Sequence, residues 1–488
     1  MIISPSILQI LKNEYSWIYL SFLINIFSSI IYSQSYINIS SDLNNKNLPF
    51  WHVSNQLGLY DKSASIISGS FKGKNNLFKY KFRVVLNPSN FSKFYIPIAS
   101  IIKNSNNYQL KAGRWIDSLT NESILSTGSL IISKNALPIT KISLRTNEYK
   151  TFSIFNFEFS IKAGISHGWM SREKYIKAPL LHEKFLYINK SFKNKSTFKV
   201  GLVHEAMWGG KTEIHGQQSQ SLNDYFRVLT FSPGSKSSLI QEQINTLGNH
   251  LGVWDIAFTR IQKKSEFKLY YQHPFEDGSG AYQYFFDEIK ALRFPNKSFD
   301  GLFGIEFKNN ESKLFNILLY EYLNTMNQSG AEAASDSTYG WDNYYNHYIY
   351  QSGWVNNGRL IANPLFTLGS IFNHYSNSNY IINNRLKAHH IGISGNLLKK
   401  IEYKFLFTYS KNYGTYYDNS RFSSENKIYK FNKGLKQVSS LFELNLKEVW
   451  KNIDIQISYA LDNGELLNNN KGFQLSFYYN FSNVSYSQ

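Results

Sequence analysis

Along most of its length the chain alternates apolar and polar residues with a period of two. Tyr80, Phe82 and Val84 alternate with Lys81 and Arg83, and Phe155, Phe157, Phe159 and Ile161 with Asn156, Glu158, Ser160 and Lys162. The pattern returns in Trp254, Ile256 and Phe258, in Phe303, Ile305 and Phe307, in Phe442, Leu444 and Leu446, and in Ile453, Ile455 and Ile457. It closes the chain in Phe473, Leu475, Phe477, Tyr479 and Phe481 against Gln474, Ser476, Tyr478 and Asn480. Successive strand side chains point to opposite faces, so each run reads as a strand with one apolar face. A bundle of membrane helices is excluded, because each span needs roughly 20 nearly uncharged apolar residues. After the N-terminus no such run exists.

Two architectures accommodate so many alternating strands. A soluble sandwich or propeller turns the apolar faces inward, whereas an outer-membrane barrel turns them toward lipid and keeps polar residues in the lumen. Aromatic residues near strand ends (Trp254, Tyr271, Tyr479, Phe481) match the girdles of a barrel, and no blade-length repeat points to a propeller. The final strand is amphipathic and aromatic, although 482–488 trail past Phe481. The expected fold class is therefore all-β: a transmembrane outer-membrane β-barrel of about 16 to 18 antiparallel strands with long extracellular loops. Residues 209–248, 277–298, 324–350 and 356–380 are too long for periplasmic turns and are expected to face outward or fold into the lumen, with a short helix within 237–247.

The N-terminus carries the one continuous apolar run, WIYLSFLINIFSSII at 17–31, behind Lys12 and ahead of a small polar stretch. It is short for a span and suits a signal peptide over 1–33, with cleavage near Ser33 or Gln34. A polar lead at 34–49 and a single barrel at 50–488 follow, in the outer membrane of a Gram-negative cell. The absence of cysteine among the 488 residues removes disulfide scaffolds, thiolate zinc sites, iron–sulfur clusters and cysteine nucleophiles. Lys and Arg outnumber Asp and Glu by 52 to 34, yet no basic run of five occurs, so a nucleic-acid footprint is missing. An anionic partner such as an acidic polysaccharide or lipid headgroups remains compatible with the positive balance.

Several strings carry residue types that bear on chemistry. Gly164-Ile165-Ser166-His167-Gly168 matches the nucleophile-elbow pattern but ends an antiparallel-type strand, where that motif needs a strand-to-helix turn. His204-Glu205 begins like a zinc-protease helix, with Trp208 where the second histidine belongs. His273, Glu276 and Asp277 in YYQHPFEDGSG offer an imidazole near two carboxylates, or a polar cluster across a lumen. His389 and His390 point to opposite faces of a strand and cannot share a metal without distortion. The aromatic and amide clusters at 341–348 and 413–417 combine flat apolar rings with hydrogen-bonding tips, which suits a sugar surface as well as a packed loop.

Ten strings together resemble the capsule assembly Wzi family: PFWHVSNQLG (49–58), LHEKFLYI (181–188), GLVHEAMWGG (201–210), LGNHLGVWDIAFT (247–259), YYQHPFEDGSG (270–280), DGLFGIEF (300–307), LYEYLNTMNQSG (319–330), YQSGWVNNGRLIANPLF (350–366), NNRLKAHHIGISG (383–395) and FTYSKNYGTY (407–416). The resemblance implies an 18-stranded barrel whose extracellular loops occlude the pore. It also implies a lectin that holds capsular or other exported polysaccharide at the cell surface, and neither an enzyme nor the export channel. Family members can carry an N-terminal helical bundle; the lead here is short and has no helical period.

On this reading the sugar-binding residues are His204, Glu205, Trp208, His250, His273, Glu276, Asp277, Tyr322, Asn324, Asp342, Tyr344, Tyr345, Gln351, Trp354, Arg359, Asn363 and Tyr413, with no catalytic residue, metal or cofactor. The expected partners are capsular or exopolysaccharide, outer-membrane lipids and the barrel-assembly machinery, for a monomer that binds no nucleic acid. A porin for small solutes is the alternative, and a hydrolase built on Ser166 and His167, or on the His273 and Asp277 region, is a more distant one. In 314–324 either choice of facing turns one polar group to lipid, Glu321 or Asn316.

Overall fold

The computed structural model of the chain describes residues 35–42, 48–60, 65–75, 77–86, 94–155, 157–276, 300–309, 311, 314–328, 342–369, 381–415 and 429–481. The signal-peptide run and Asp277 lie outside them, as do the connection at 277–298 and Trp341.

The strands, in chain order, are β1 (Ser35–Asp42), β2 (Ile66–Lys74), β3 (Lys79–Leu86), β4 (Phe94–Asn104), β5 (Tyr108–Arg114), β6 (Thr140–Thr146 and Lys150–Ile154), β7 (Phe157–Trp169), β8 (Leu180–Ser191) and β9 (Ser196–Trp208). Then come β10 (Asn249–Ile261), β11 (Ser265–Phe275), β12 (Gly301–Asn309), β13 (Ile317–Asn324), β14 (Arg385–Leu398), β15 (Ile401–Gly414), β16 (Leu435–Trp450), β17 (Ile453–Gly464) and β18 (Asn470–Asn480). Both halves of β6 pair with β7, one with its C-terminal and one with its N-terminal part, so they form one strand interrupted at 147–149. Each strand pairs antiparallel with the next, and β1 pairs with both β2 and β18. The result is a closed barrel of eighteen strands, which leaves no free sheet edge.

Closure through Ser35–Asp42 corrects the expectation of a lead at 34–49 outside the barrel. That stretch is Asn/Ser-rich and its alternation is short, Ile37 and Ile39 against Asn38 and Ser40, with the strand held in register by its two neighbours. Strand facing follows the alternation. Phe473, Phe477 and Tyr479 of β18 are exposed on the outer wall, while Gly472 and Ser476 are buried inward. In β13 Glu321 points into the lumen, where it is buried, and Tyr320 points out; Asn316 precedes the strand, and its backbone bonds to Asn309 and Ser394.

Turns at one end are short, including 75–78, 105–107, 192–195, 262–264, 399–400 and 451–452, and β1 begins and β18 ends there. This is the periplasmic end by the usual rule for such barrels. At the other end the connections are long, and three enter the lumen. Residues 48–60 carry α1 (Phe50–Val53), 115–139 follow β5, and 342–369 belong to the connection from β13 to β14. A fourth, 209–248, carries α2 (Leu222–Thr230) and α3 (Ile240–Ile244). The expected helix within 237–247 is thus present as α3, while α2, with its Ser221/Asp224 capping box, was not anticipated. The lumen segments pack a hydrophobic core inside the barrel, built from Trp51, Leu125, Leu130, Ile131, Tyr344, Tyr345, Trp354 and Phe366 with wall residues such as Val203, Val253 and Leu302.

Candidate functional site: a plugged lumen under an extracellular face

A buried loop must satisfy its backbone, and here polar side chains of the barrel wall do so. Glu321 accepts hydrogen bonds from Ser126 Oγ (2.5 Å), Thr127 N (2.8 Å) and Tyr270 Oη (2.5 Å). Gln272 Oε1 accepts from Leu130 N (3.0 Å), and His390 Nε2 lies 2.8 Å from the carbonyl of Leu125. Asp255 Oδ2 accepts from Asn121 Nδ2 and Tyr187 Oη, both at 2.6 Å. Two glycines allow these tyrosines to lie down: Tyr187 faces Gly201 and Tyr270 faces Gly304 across adjacent strands, each ring where a Cβ would be about 2.0 Å away.

Charge anchors the same segment. Lys141 pairs with Asp117 at 2.5 Å and with Glu183, and Arg145 reaches Asp117 at 3.1 Å. Burial pushes the Asp117 carboxyl up, but the Lys141 and Arg145 cations more than cancel it and hold it well below the usual carboxylate range. The α1 segment docks on the opposite wall, where Phe50 N donates to Asp462 Oδ2 (2.7 Å), Trp51 Nε1 to Ser439 O (3.3 Å), and His52 Nε2 meets Ser458 Oγ (3.1 Å). The third segment crosses the first: Tyr345 Oη donates to Leu130 O (2.8 Å), Asn363 Nδ2 to Thr127 Oγ1 (3.0 Å), and Asn356 Nδ2 to Leu137 O (2.7 Å).

Above this plug the extracellular loops form a surface. Short strands Ile176–Lys177, Lys211–Thr212 and Gly216–Gln217 make a three-stranded sheet. It is tied to the plug loop by Tyr175 N to Ser352 Oγ (3.2 Å), Ser171 N to Asn356 Oδ1 (2.9 Å) and Asn357 N to Ser171 Oγ (2.7 Å). The Tyr348 ring, 61% exposed, lies 5.1 Å from that of His215, and Lys174 Nζ lies 5.0 Å from the Tyr175 ring centre. Lys177, Lys211 and Gln217 are exposed beside them. Rings with adjacent cations and amides can stack on and hydrogen-bond a glycan.

The profile of the capsule assembly protein Wzi family matches residues 74–386, more than half of the chain. The chain belongs to the Wzi capsule assembly family. A search of curated proteins finds no match. Among solved structures, the barrel is similar to Wzi of Escherichia coli, described as an outer-membrane protein involved in group 1 capsule assembly and a carbohydrate-binding β-barrel. The two share 14% identity with a TM-score of 0.59, over 96% of this chain and 89% of that one. OccAB4 of Acinetobacter baumannii aligns at 9% identity and a TM-score of 0.45, over 92% and 97%. The Wzi-family fold and outer-membrane placement agree with the barrel read from the alternation.

Within this Wzi-family barrel most of the residues expected to touch sugar are buried. Trp354, Tyr344, Tyr345, Asn324 and Asn363 have 0 to 1% exposure and form the plug and its fastenings. Tyr344 donates to Pro274 O (3.3 Å) and takes Gln328 Oε1 on its backbone N–H, while Asn324 Nδ2 reaches Asp300 Oδ1 at 3.4 Å. Glu205 is buried on the lumen wall close to Lys141 and Glu183. On the outer wall His204 Nε2 meets His250 Nδ1 at 2.9 Å beneath Phe231, and Trp208 packs with Val228, Leu247 and Tyr225. His273 is buried on the outer wall against Tyr271 and the carbonyl of Asp300. These ten side chains are buried in the plug, the lumen wall and the outer wall.

Six others keep partial exposure. Glu276 accepts from Tyr345 N (2.5 Å), Arg359 donates to Tyr60 O (2.8 Å), and the backbone carbonyl of Asp342 accepts from Arg385. Tyr322 stands on the outer wall 5.0 Å from His389, Tyr413 lies 5.5 Å from Tyr429, and Gln351 is half-buried. The nucleophile reading of Ser166 and His167 also fails on geometry. Ser166 donates to Glu183 in the lumen (2.7 Å), and His167 packs outside against Trp169, Trp208 and Tyr225. His389 and His390 do face opposite ways, and among the described residues no cluster is arranged to hold a metal ion. The surface set Tyr175, Lys211, His215, Gln217 and Tyr348 was missed apart from Tyr348; KTEIHGQQ carries no motif, and only its place in a long loop marks it.

Proposed function

We propose that this protein binds exported capsular or extracellular polysaccharide at the cell surface and anchors it there without chemical conversion. One observation carries the reading: the lumen of a Wzi-family barrel is packed with its own loops, so what the molecule offers outward is a surface and not a passage. Polysaccharide then meets the Tyr348, His215, Lys211 and Gln217 face, where many weak stacking and hydrogen-bonding contacts add along a polymer. The relative from Escherichia coli, described as carbohydrate-binding, supports the ligand class. The test is to delete the gene and compare cell-bound with shed polysaccharide, complementing with the native protein and with a Tyr348→Ala, Lys211→Ala variant. A shift from cells to medium at constant total, restored by the native protein and not by the variant, is expected. Unchanged cell-bound and shed fractions after deletion refute it.

A further inference from the structure

We propose a second, periplasm-facing binding site for an acidic polysaccharide, on the lumen wall formed by β2 to β5 below the plug. Facing lumen residues on β2 and β3 are paired with like charges: Lys72 lies directly opposite Lys81, and Lys74 directly opposite Lys79, with Arg83 one step further in, opposite Ser70. Direct cross-strand like-charge pairs cost stability. Two in succession beside a third cation form an arrangement that folding alone does not favour.

Compensation is confined to Lys111 of β5, whose Nζ lies 4.4 Å from the Trp115 ring centre and which the Asp117 charge also favours. The charges of Lys72 and Arg83 both bear on Lys81. The nearest carboxylate, Asp117, is already held by Lys141 and Arg145. Among the described residues none of Lys72, Lys74, Lys79, Lys81, Arg83 or Lys111 pairs with a carboxylate, and Arg83 Nε is buried with no hydrogen-bond partner. Elsewhere on the lumen wall three acids are already paired with lysines: Glu443 with Lys404 at 2.9 Å, and Glu266 and Glu306 with Lys308 at 3.1 Å.

The geometry favours a polymer. Adjacent strands lie about 4.8 Å apart and alternate residues about 7 Å apart, so the cations form a flat grid and not a pocket for one small anion. Further along the same wall the break in β6 turns Tyr149 inward, with Lys162 and Lys199 Nζ 5.9 and 5.7 Å from its ring centre. An aromatic face flanked by ammonium groups suits a sugar ring bearing a carboxylate. The plug closes the lumen above, which leaves the periplasmic mouth, beside the 75–78 turn, as the way in. The proposal leans on the proposed function only for the nature of the polymer.

The test uses the full chain in detergent, titrated with sodium polygalacturonate, neutral dextran and poly-glutamate at low salt. Native protein is expected to bind polygalacturonate, not dextran, and poly-glutamate markedly more weakly. The Lys72→Gln, Lys81→Gln, Arg83→Gln variant is expected to lose affinity about tenfold, each exposed charge contribution being a few-fold. Without ligand the variant should unfold at the same or a higher temperature than the native protein, because repulsion is relieved, and polygalacturonate should raise only the native value. Unchanged affinity in the variant overturns the site, and equal binding of poly-glutamate overturns the glycan assignment. Tyr348→Ala separates the two proposals: if it alone abolishes polygalacturonate binding, the periplasm-facing site falls while the surface reading stands.

Discussion

Lys141 shows how single residues hold the plug. Its ammonium, buried between Asp117 and Glu183, neutralises two carboxylates that have no water to turn to, and Arg145 shares the first. Replacing it by Met leaves those charges uncompensated, so Lys141→Met is expected to cost about 3–5 kcal/mol. The readout is a fall in the temperature at which the folded band is lost on SDS gels. Glycine sets a second local condition. A methyl at Gly304 would collide with the Tyr270 ring and push its hydroxyl away from Glu321, where 115–139 is fastened. Gly304→Ala is expected to cost about 1–3 kcal/mol by overpacking, with faster hydrogen exchange at Thr127. Neither role was legible in sequence. Alternation told which way Lys141 and Glu321 point only once the strand register was fixed, and their partners lie far away along the chain.

The elements divide sharply in legibility, and for a physical reason. Strands such as β18 announce themselves because one face meets lipid and the other does not, which forces period two. The plug segments have no periodic environment. Their backbone is satisfied by scattered side chains such as Gln272, His390 and Asn363, so Trp354 and Tyr344 read as sugar-binding aromatics when they are core. Two loops carry opposed pH responses. Burial lowers His347 to about 4, keeping neutral an imidazole whose Nδ1 accepts from Ile349 N and Tyr350 N. That stabilisation is present above the ordinary value of 6.5 and is lost as pH falls through about 4. Burial pushes Glu242, which accepts from Gly248 N near Asp224, up to about 7. Its contribution is full below the ordinary 4.5 and disappears as pH rises through about 7. Limited proteolysis should therefore cut 342–350 faster in acid and 240–248 faster above neutral pH, with Glu242→Gln flattening only the second response.

At the scale of the whole molecule, eighteen strands make a cylinder wide enough to conduct, and only the packed loops decide whether it does. Trp354 is completely buried with its neighbours Tyr345 and Ile361 in that packing, and truncating such a side chain costs about 3–5 kcal/mol. The barrel wall has its own continuous hydrogen bonding, so this cost falls on the plug. Native protein in planar bilayers is expected to show no steady conductance, while Trp354→Ala with Tyr344→Ala should show intermittent openings and leave the folded band on SDS gels. The same double variant then discriminates roles on cells. If polysaccharide is held by the outer face, cells expressing it should retain glycan and become permeable to small solutes, whereas Tyr348→Ala with Lys211→Ala should shed glycan and stay sealed. Native protein that conducts steadily would instead show that the loops do not close the lumen, and the molecule would have to be treated as a passage for solutes.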